Sequence, residues 1–450
     1  MFGSYVGVTV ILFVVGTHRT SLSQLPQEWL PMPPLETNRR LLIIAPHPDD
    51  EVLGCGGLIA EAVQRKVPVR VVWLTAGDGF PGAAMLIGRS TPDSQDYRTL
   101  GKTRIEEARH ACQILGLSEA DLFFLGYPDR GLWTMALAGD RVVRSPYTGY
   151  TRVAYPQCAN SQHPYTAPSV VWDLIQILDE FQPTDIFTAH PLDDHPDHMA
   201  CALFTMESIR HTVQRGALSQ RPRLYYYLVH RGDWPLPQGD HPDRLLLPPF
   251  SMGHGGWFYL PLTPTAIERK RAALEAHATQ YALMTRFLSS FVRLNELFQG
   301  AQVPTLSYRN PVDDNPALRL RPEGDIRAVQ VTPQPNGLAV EITTRQPLKT
   351  PFQLQISLIT IDARGHWNTM QWTYRPGSTV LPASRDGNTL LLWLAVPTMR
   401  RQQAGYLVVQ TRLYGVEIDR TGVLPIPLSD AGWDSPVHAT TPRSAPSHSR

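Results

Sequence analysis

Two short segments of this chain gather side chains that could hold a metal and move a proton. The first is His47-Pro48-Asp49-Asp50-Glu51, the second His190-Pro191-Leu192-Asp193-Asp194-His195-Pro196-Asp197-His198. Imidazole and carboxylate together are the donors that a cation such as zinc takes in a small tetrahedral arrangement. His47 and Asp50, three positions apart across a strand-to-helix turn, can point at one spot. Asp49 is then left as an acceptor for the proton of a water beside the metal. The plainer alternative is that the three acids only enrich a helix's first turn, where the macrodipole favours negative charge. A histidine just before them, at the end of an apolar run, weighs against that. The second segment packs three histidines and three aspartates into nine residues of a chain with 15 histidines in all. Pro196 suits the first position of a helix, which would run on through Met199–Ile209. His198 then projects from the first turn and His195 stands just before it.

The elements that must position these groups follow from the hydrophobic pattern. Leu41–Ala45 is an unbroken apolar run, the mark of a parallel strand buried on both faces. A helix over Val52–Arg65 follows, then a strand over Val67–Leu74, with Pro68 tolerated only at its start. Helical spacing over Arg104–Leu115 ends at Gly116. Leu122–Leu125 is a third strand, Val170–Phe181 a helix and Asp185–Ala189 a fourth strand. This alternation predicts an α/β domain over about residues 39–300, a Rossmann-like, mostly parallel sheet with helices on both faces. Ligands of such sheets collect at the carboxyl ends of the strands, where both His-rich segments fall. After a linker at 301–322, residues 323–430 alternate apolar and polar residues in short runs separated by Gly, Pro and Asn-Gly signals. That predicts a C-terminal antiparallel β-sandwich. Residues 431–450, rich in Pro, Ser, Thr and His, read as a disordered tail.

The pattern resembles the PIG-L/LmbE-like de-N-acetylases, which include the deacetylases of N-acetylglucosaminyl-phosphatidylinositol and of the mycothiol precursor. The likeness runs from about Leu41 to Gln280. PHPDDEVLGCGG matches the family's first signature, with Pro46 where Ala is usual, and DDHPDH matches the second. The resemblance implies a zinc ion, with Fe2+ as the other candidate, on His47, Asp50 and His198. It implies Asp49 as general base, and a protonated His195 that stabilises the oxyanion or assists the leaving amine. Asp197 would orient a histidine. Arg104 looks like the family's substrate-facing arginine. Asp129 and Gln280 are candidates for the site wall, with helix packing as an equal reading, and Asp193 is placed with them on the substrate side. The implied reaction is hydrolysis of the N-acetyl group of an N-acetylglucosamine-type glycoside, glycolipid or polysaccharide. The competing reading is a metal-containing protein that binds glycans through its β-sandwich without catalysis.

Composition narrows the partners. With 41 basic and 40 acidic residues the net charge is +1, which gives no electrostatic reason to expect nucleic acid. No HExxH motif points to a peptidase. The four cysteines form no CxxC pair, so a thiolate metal site is not expected. Gly54-Cys55-Gly56-Gly57 lacks the rest of a dinucleotide loop and reads as close helix packing. His230, His254, Trp234 and Trp257 stand equally as the rim of a sugar site or as core. Phe2–Gly16 is mostly apolar and resembles the core of an export signal without its basic flank. Residues 1–38 therefore read as a signal-like or anchoring segment. A secreted, periplasmic or membrane-anchored protein is the expectation, with a cytoplasmic one as the alternative.

Overall fold

The computed structural model describes residues 29–428, apart from 159, 253–254, 302–305, 310–317, 319, 379–380, 382 and 397–401. Of the segment 1–38 expected to be signal-like or anchoring, residues 1–28 lie outside the described residues, as does the tail at 431–450, whereas Leu30–Pro31 pairs as an edge strand of the sheet. No helix among the described residues is long and apolar enough to cross a membrane.

The N-terminal part opens with β1 (Leu30–Pro31), β2 (Leu41–Ala45), α1 (Asp50–Gln64) and β3 (Val69–Thr75). Then come α2 (Pro81–Ile87), α3 (Ser94–Leu115), β4 (Leu122–Tyr127) and α4 (Leu132–Ala138). α5 (Ala167–Phe181), β5 (Asp185–Ala189), α6 (Pro196–Gln214) and β6 (Arg223–Tyr227) follow. β7 (Trp257–Pro261), α7 (Pro264–Ala276), α8 (Ala278–Ser289) and β8 (Asn295–Gly300) complete this part. Its eight strands form one sheet in the order β1-β7-β8-β6-β5-β2-β3-β4. From β6 to β4 all neighbours are parallel, whereas β8 runs antiparallel to β6 and β7. α1, α3 and α7 pack together as one helical layer, and α4, α5 and α6 as the other. β2 is buried at all five positions, as an uninterrupted LLIIA run requires. The chain order reverses between β2 and β5, so the crevice of the fold opens where the two His-rich segments leave adjacent strands.

Local signals set the helix ends. Pro196 occupies the first turn of α6, and His195 is its N-cap. α3 begins at a capping box between Asp93 and Asp96, ten residues earlier than hydrophobic spacing predicts, and ends at Gly116 with φ 96°. The glycines of α1 serve close packing: a Cβ on Gly54 would stand 2.4 Å from the Tyr227 ring, and one on Gly57 2.5 Å from Leu262. Near the end of this part the chain forms two helices, α7 and α8, separated by a break at His277 (φ −77°, ψ 58°). All four cysteines are buried and free.

The C-terminal part is a β-sandwich of β9 (Ser307–Arg309), β10 (Ile326–Gln334), β11 (Gly337–Thr344), β12 (Phe352–Asp362) and β13 (Trp367–Tyr374). It continues with β14 (Ala383–Asp386), β15 (Thr389–Ala395), β16 (Gln402–Leu413), β17 (Val416–Arg420) and β18 (Leu424–Pro427). β9, inside the stretch expected to be linker, pairs with β10. One antiparallel sheet runs β14-β15-β11-β10-β9, the other β13-β12-β16-β17 with β18 on β16. Alternation along β12 and β16 sends side chains into two different cores. Leu354, Ile356, Leu358, Leu407 and Val409 fill the sandwich. Ile359, Ile361, Ala404, Tyr406 and Val408, on the opposite face, join the core of the α/β part. The two parts therefore share a buried apolar seam.

Candidate active site

The loop after β2 presents His47, Asp49 and Asp50, and the loop after β5 presents His195 and His198. All but the fully buried His198 line a cleft of about 570 Å³ including its open mouth, a size suited to a small-molecule site. Its polar lining includes His47, Asp49, Asp50, Arg104, Asp129 and His195. Phe80, Met284 and Phe287 form an apolar wall opposite.

Asp50 is the junction of the expected metal triad. Its Oδ2 lies 3.1 Å from His47 Nδ1 and 3.2 Å from His198 Nε2, and it accepts the His47 N–H at 3.0 Å. Donors on a tetrahedral zinc with bonds of ~2.0–2.1 Å stand about 3.3 Å apart, close to these spacings. Both ring nitrogens of His198 are buried and make no aligned hydrogen bond, although the Asp50 and Asp193 carboxylates stand 3.2 Å away. A buried imidazole edge facing a shared carboxylate with no hydrogen bond between them suits a cation, and the donor set fits zinc. Among the described residues, three sets of donor atoms each lie within 4.8 Å of one another: His47 with His195 and His198, Asp50 with His198 and His230, and His47 with Asp129 and Asp197. Burial works against the charge on Asp50, but His198 and His47 outweigh it and hold the carboxyl well below its usual range.

Asp49 sits at the N-cap position of α1 with φ 120° and makes no side-chain cap. An L-residue with that φ is strained and must be held by its surroundings. Its N–H donates to Glu51 Oε2 at 2.9 Å, and its carboxylate lies 3.2 Å from the Arg104 guanidinium. Burial lifts its pKa to about 7 against the pull of Arg104. Arg104 also donates to the Gly77 and Pro48 carbonyls. It lines the cleft, yet much of its bonding capacity goes to holding the Asp49 turn.

Behind the ligands stands a layer of carboxylates. Asp197 Oδ2 and Asp129 Oδ1 each lie 3.2 Å from His47 Nε2. Asp197 also accepts the N–H of Leu132 at 3.0 Å, and Asp129 that of Gly79 at 2.8 Å. Asp197 thus contacts a histidine, and Asp129 lines the cleft with its carboxylate already engaged. Gln280 is buried and reaches the cleft.

Asp193 departs from its expected place on the substrate side. It is buried behind the histidines, accepting the N–H groups of His195 at 2.9 Å, Val229 at 3.0 Å and His230 at 2.9 Å. With His198 Nδ1 also 3.2 Å from its Oδ2, the carboxylate is turned to the histidines and does not line the cleft. His195 also differs from the protonated form expected of it. Burial, then the charges of His47, His198 and His230, hold it well below the usual imidazole range. Its Nδ1 accepts the Asp197 N–H at 3.2 Å, in the first turn of α6. The ring is therefore the neutral Nε2–H tautomer.

Residue patterns passed over Glu51 and left His230 open between site rim and core. Glu51 was read only as the third acid of its motif. It is fully buried and accepts from Trp73 Nε1 at 2.8 Å and His277 Nε2 at 2.9 Å as well as from Asp49. His230 lines the cleft, stacked on Phe287 at 5.5 Å. It follows the carboxyl end of β6, the same signal that singled out the other two segments. Trp234 and Trp257 are core, and His254 lies outside the described residues. His190, within the second segment, is tied up by the Leu192 N–H at 2.9 Å and Gln299 at 2.6 Å.

The α/β part is similar to known proteins. The profile of the PIG-L family, described as GlcNAc-PI de-N-acetylase, matches residues 42–209. A 1D-myo-inositol 2-acetamido-2-deoxy-alpha-D-glucopyranoside deacetylase of Mycobacterium sp. (strain KMS) is 30% identical over 254 residues, covering 54% of this chain and 75% of the relative. A probable N-acetyl-alpha-D-glucosaminyl L-malate deacetylase 2 of Bacillus subtilis (strain 168) is 28% identical over 195 residues, covering 42% and 68%. With the signature residues gathered in one cleft and relatives of this kind, the chain belongs to the PIG-L family and is a de-N-acetylase.

Proposed function

We propose that this enzyme hydrolyses the N-acetyl group of an N-acetylglucosamine-type amino sugar, with zinc held by His47, Asp50 and His198. The observation that carries the reading is the convergence of Asp49 and His195 on one cleft beside that triad. Zinc in an open site polarises an acetyl carbonyl and lowers the pKa of water. The remaining work falls to the chain. Asp49, held by Arg104 and by its N–H bond to Glu51, takes the proton of the attacking water as the new C–O bond forms. His195 Nε2–H donates to the developing oxyanion, and its Nδ1 bond to the Asp197 N–H fixes that tautomer. Asp49 then hands its proton to the sugar nitrogen, the C–N bond breaks, and acetate and a free amine leave. Asp197 and Asp129 keep the His47 ring in place. The apolar wall of Phe80, Met284 and Phe287 gives a pyranose face a surface to pack on.

A glycan-binding role without catalysis would leave a strained Asp49 and a neutral His195 donor without a use. The test is acetate release from N-acetylglucosamine oligosaccharides and glycolipids by the zinc-loaded protein. Release by the wild type supports the reading, and its absence with every amino sugar offered refutes it.

A further inference from the structure

The loop that carries His195 is gripped by the β-sandwich. Between β17 and β18 the chain turns through Thr421, Gly422 and Val423 and lies against Pro191–Asp194. The Val423 N–H donates to the Pro191 carbonyl at 3.0 Å, and the Arg420 guanidinium donates to the Asp194 carbonyl. Gly422 is close enough that a Cβ would stand 2.4 Å from the Pro191 oxygen and 2.2 Å from Leu192. From the other side the same loop is held by the segment after β6. Asp194 accepts from Arg231 at 3.0 Å and from the Gly232 N–H at 2.7 Å, and its own N–H donates to the His230 carbonyl at 2.9 Å. Every polar group of Asp194 is therefore engaged, one residue before His195.

The sandwich also grips the helix that His195 caps. Tyr406 donates to Glu207 on α6 at 3.0 Å, and the Trp367 ring stands 5.9 Å from Phe204 on the same helix. Contacts at the α6 N-terminal loop and along its length fix both the position and the direction of the element bearing His195 and His198. A domain tethered for glycan capture has no need to touch the catalytic loop, and a shared apolar seam already joins the two parts.

We propose that the Arg420–Val423 turn is a positioning element of the active site, setting the reach of His195 Nε2 into the cleft. Arg420 and Gly422 are not among the residues lining the cleft; they act through the Pro191–Asp194 backbone. The idea rests on the reaction proposed above only for its kinetic arm.

The experiment compares full-length wild type, Arg420→Ala, Arg420→Lys and Gly422→Ala. Expected for Arg420→Ala and Gly422→Ala are a kcat lowered about tenfold or more and KM and bound zinc within twofold of wild type. Amide exchange should quicken about tenfold in residues 190–199 while β2 and β12 stay protected. Arg420→Lys, which keeps a donor for Asp194, should regain much of kcat. Unchanged kcat and unchanged exchange in both variants would overturn the proposal. So would a loss of activity accompanied by equal loss of zinc and of protection throughout the molecule, which marks general destabilisation. If the wild type released no acetate, the exchange comparison would still decide whether the turn holds the loop.

Discussion

The Asp49 N–H donates to Glu51 Oε2 across 2.9 Å, and this bond closes a turn in which Asp49 holds φ 120°. Glu51 is fully buried and also receives Trp73 and His277, so three elements are tied to the placement of one carboxylate. Removing it leaves a buried histidine and two N–H donors unpaired. Glu51→Ala is expected to cost roughly 3 kcal/mol or more, read by chemical denaturation, and to lower kcat as Asp49 is released. Glu51→Gln, which keeps an acceptor for the Asp49 N–H, should retain far more of both. Equal losses in the two variants would contradict the account.

The two histidines of the second segment predict different metal behaviour. His198 Nε2 stands 3.2 Å from Asp50 with no aligned hydrogen bond, whereas both nitrogens of His190 are engaged in hydrogen bonds. Elemental analysis after chelation and reloading should find zinc lost from His198→Ala and retained by a folded His190→Ala. Retention of zinc by the first variant would remove His198 from the ligand set.

His195 is expected to act as a hydrogen-bond donor. His195→Ala should lower kcat on the order of 10²–10³-fold, the usual effect of deleting an oxyanion donor, while zinc content stays at the wild-type level. Steady-state kinetics with parallel metal analysis decides this. A variant whose kcat stays within a fewfold of wild type would exclude the role.

Asp78 gives a pH signature in stability. Burial, then the nearby Asp129 charge, raises its pKa to about 7, although Tyr155 and the Asp129 N–H bond to it. An unfolded aspartate titrates near ~3.9, so between roughly pH 4 and pH 7 the folded chain holds the extra proton. Its contribution to stability is full at low pH and declines as pH rises through that window. Asp78→Asn should flatten this component and raise Tm relative to wild type at pH 8. A wild-type-like pH profile of Tm in the variant would show that Asp78 does not titrate as described.

Much of the site was legible because its chemistry is local. His47 with Asp50, and His195 with His198, sit at short spacings just after apolar strands, and β2 and β5 have the bounds their hydrophobic runs predict. Less local features escaped. The first turns of α3 are exposed and polar, so only the Asp93 cap marks where that helix starts. The break at His277 follows from its ring turning inward to Glu51, 226 positions away in sequence. Asp193 looks like its acidic neighbours in the sequence, and only the approach of Val229 and His230 turns it inward. The neutral state of His195 comes first from its burial and then from three histidines that the fold brings together. β12 and β16 are apolar on both faces because each serves two cores, a pattern that strand alternation alone does not assign to a partner.

The central claim is that Asp49 moves the proton in an amide hydrolysis beside a bound metal. Its most direct test is acetate release from an N-acetylglucosamine substrate by zinc-loaded wild type and zinc-loaded Asp49→Asn, matched for metal content. The account predicts release by the wild type and a kcat lower by about 10²–10⁴-fold in the variant, with zinc stoichiometry unchanged. Release by Asp49→Asn at the wild-type rate would contradict it.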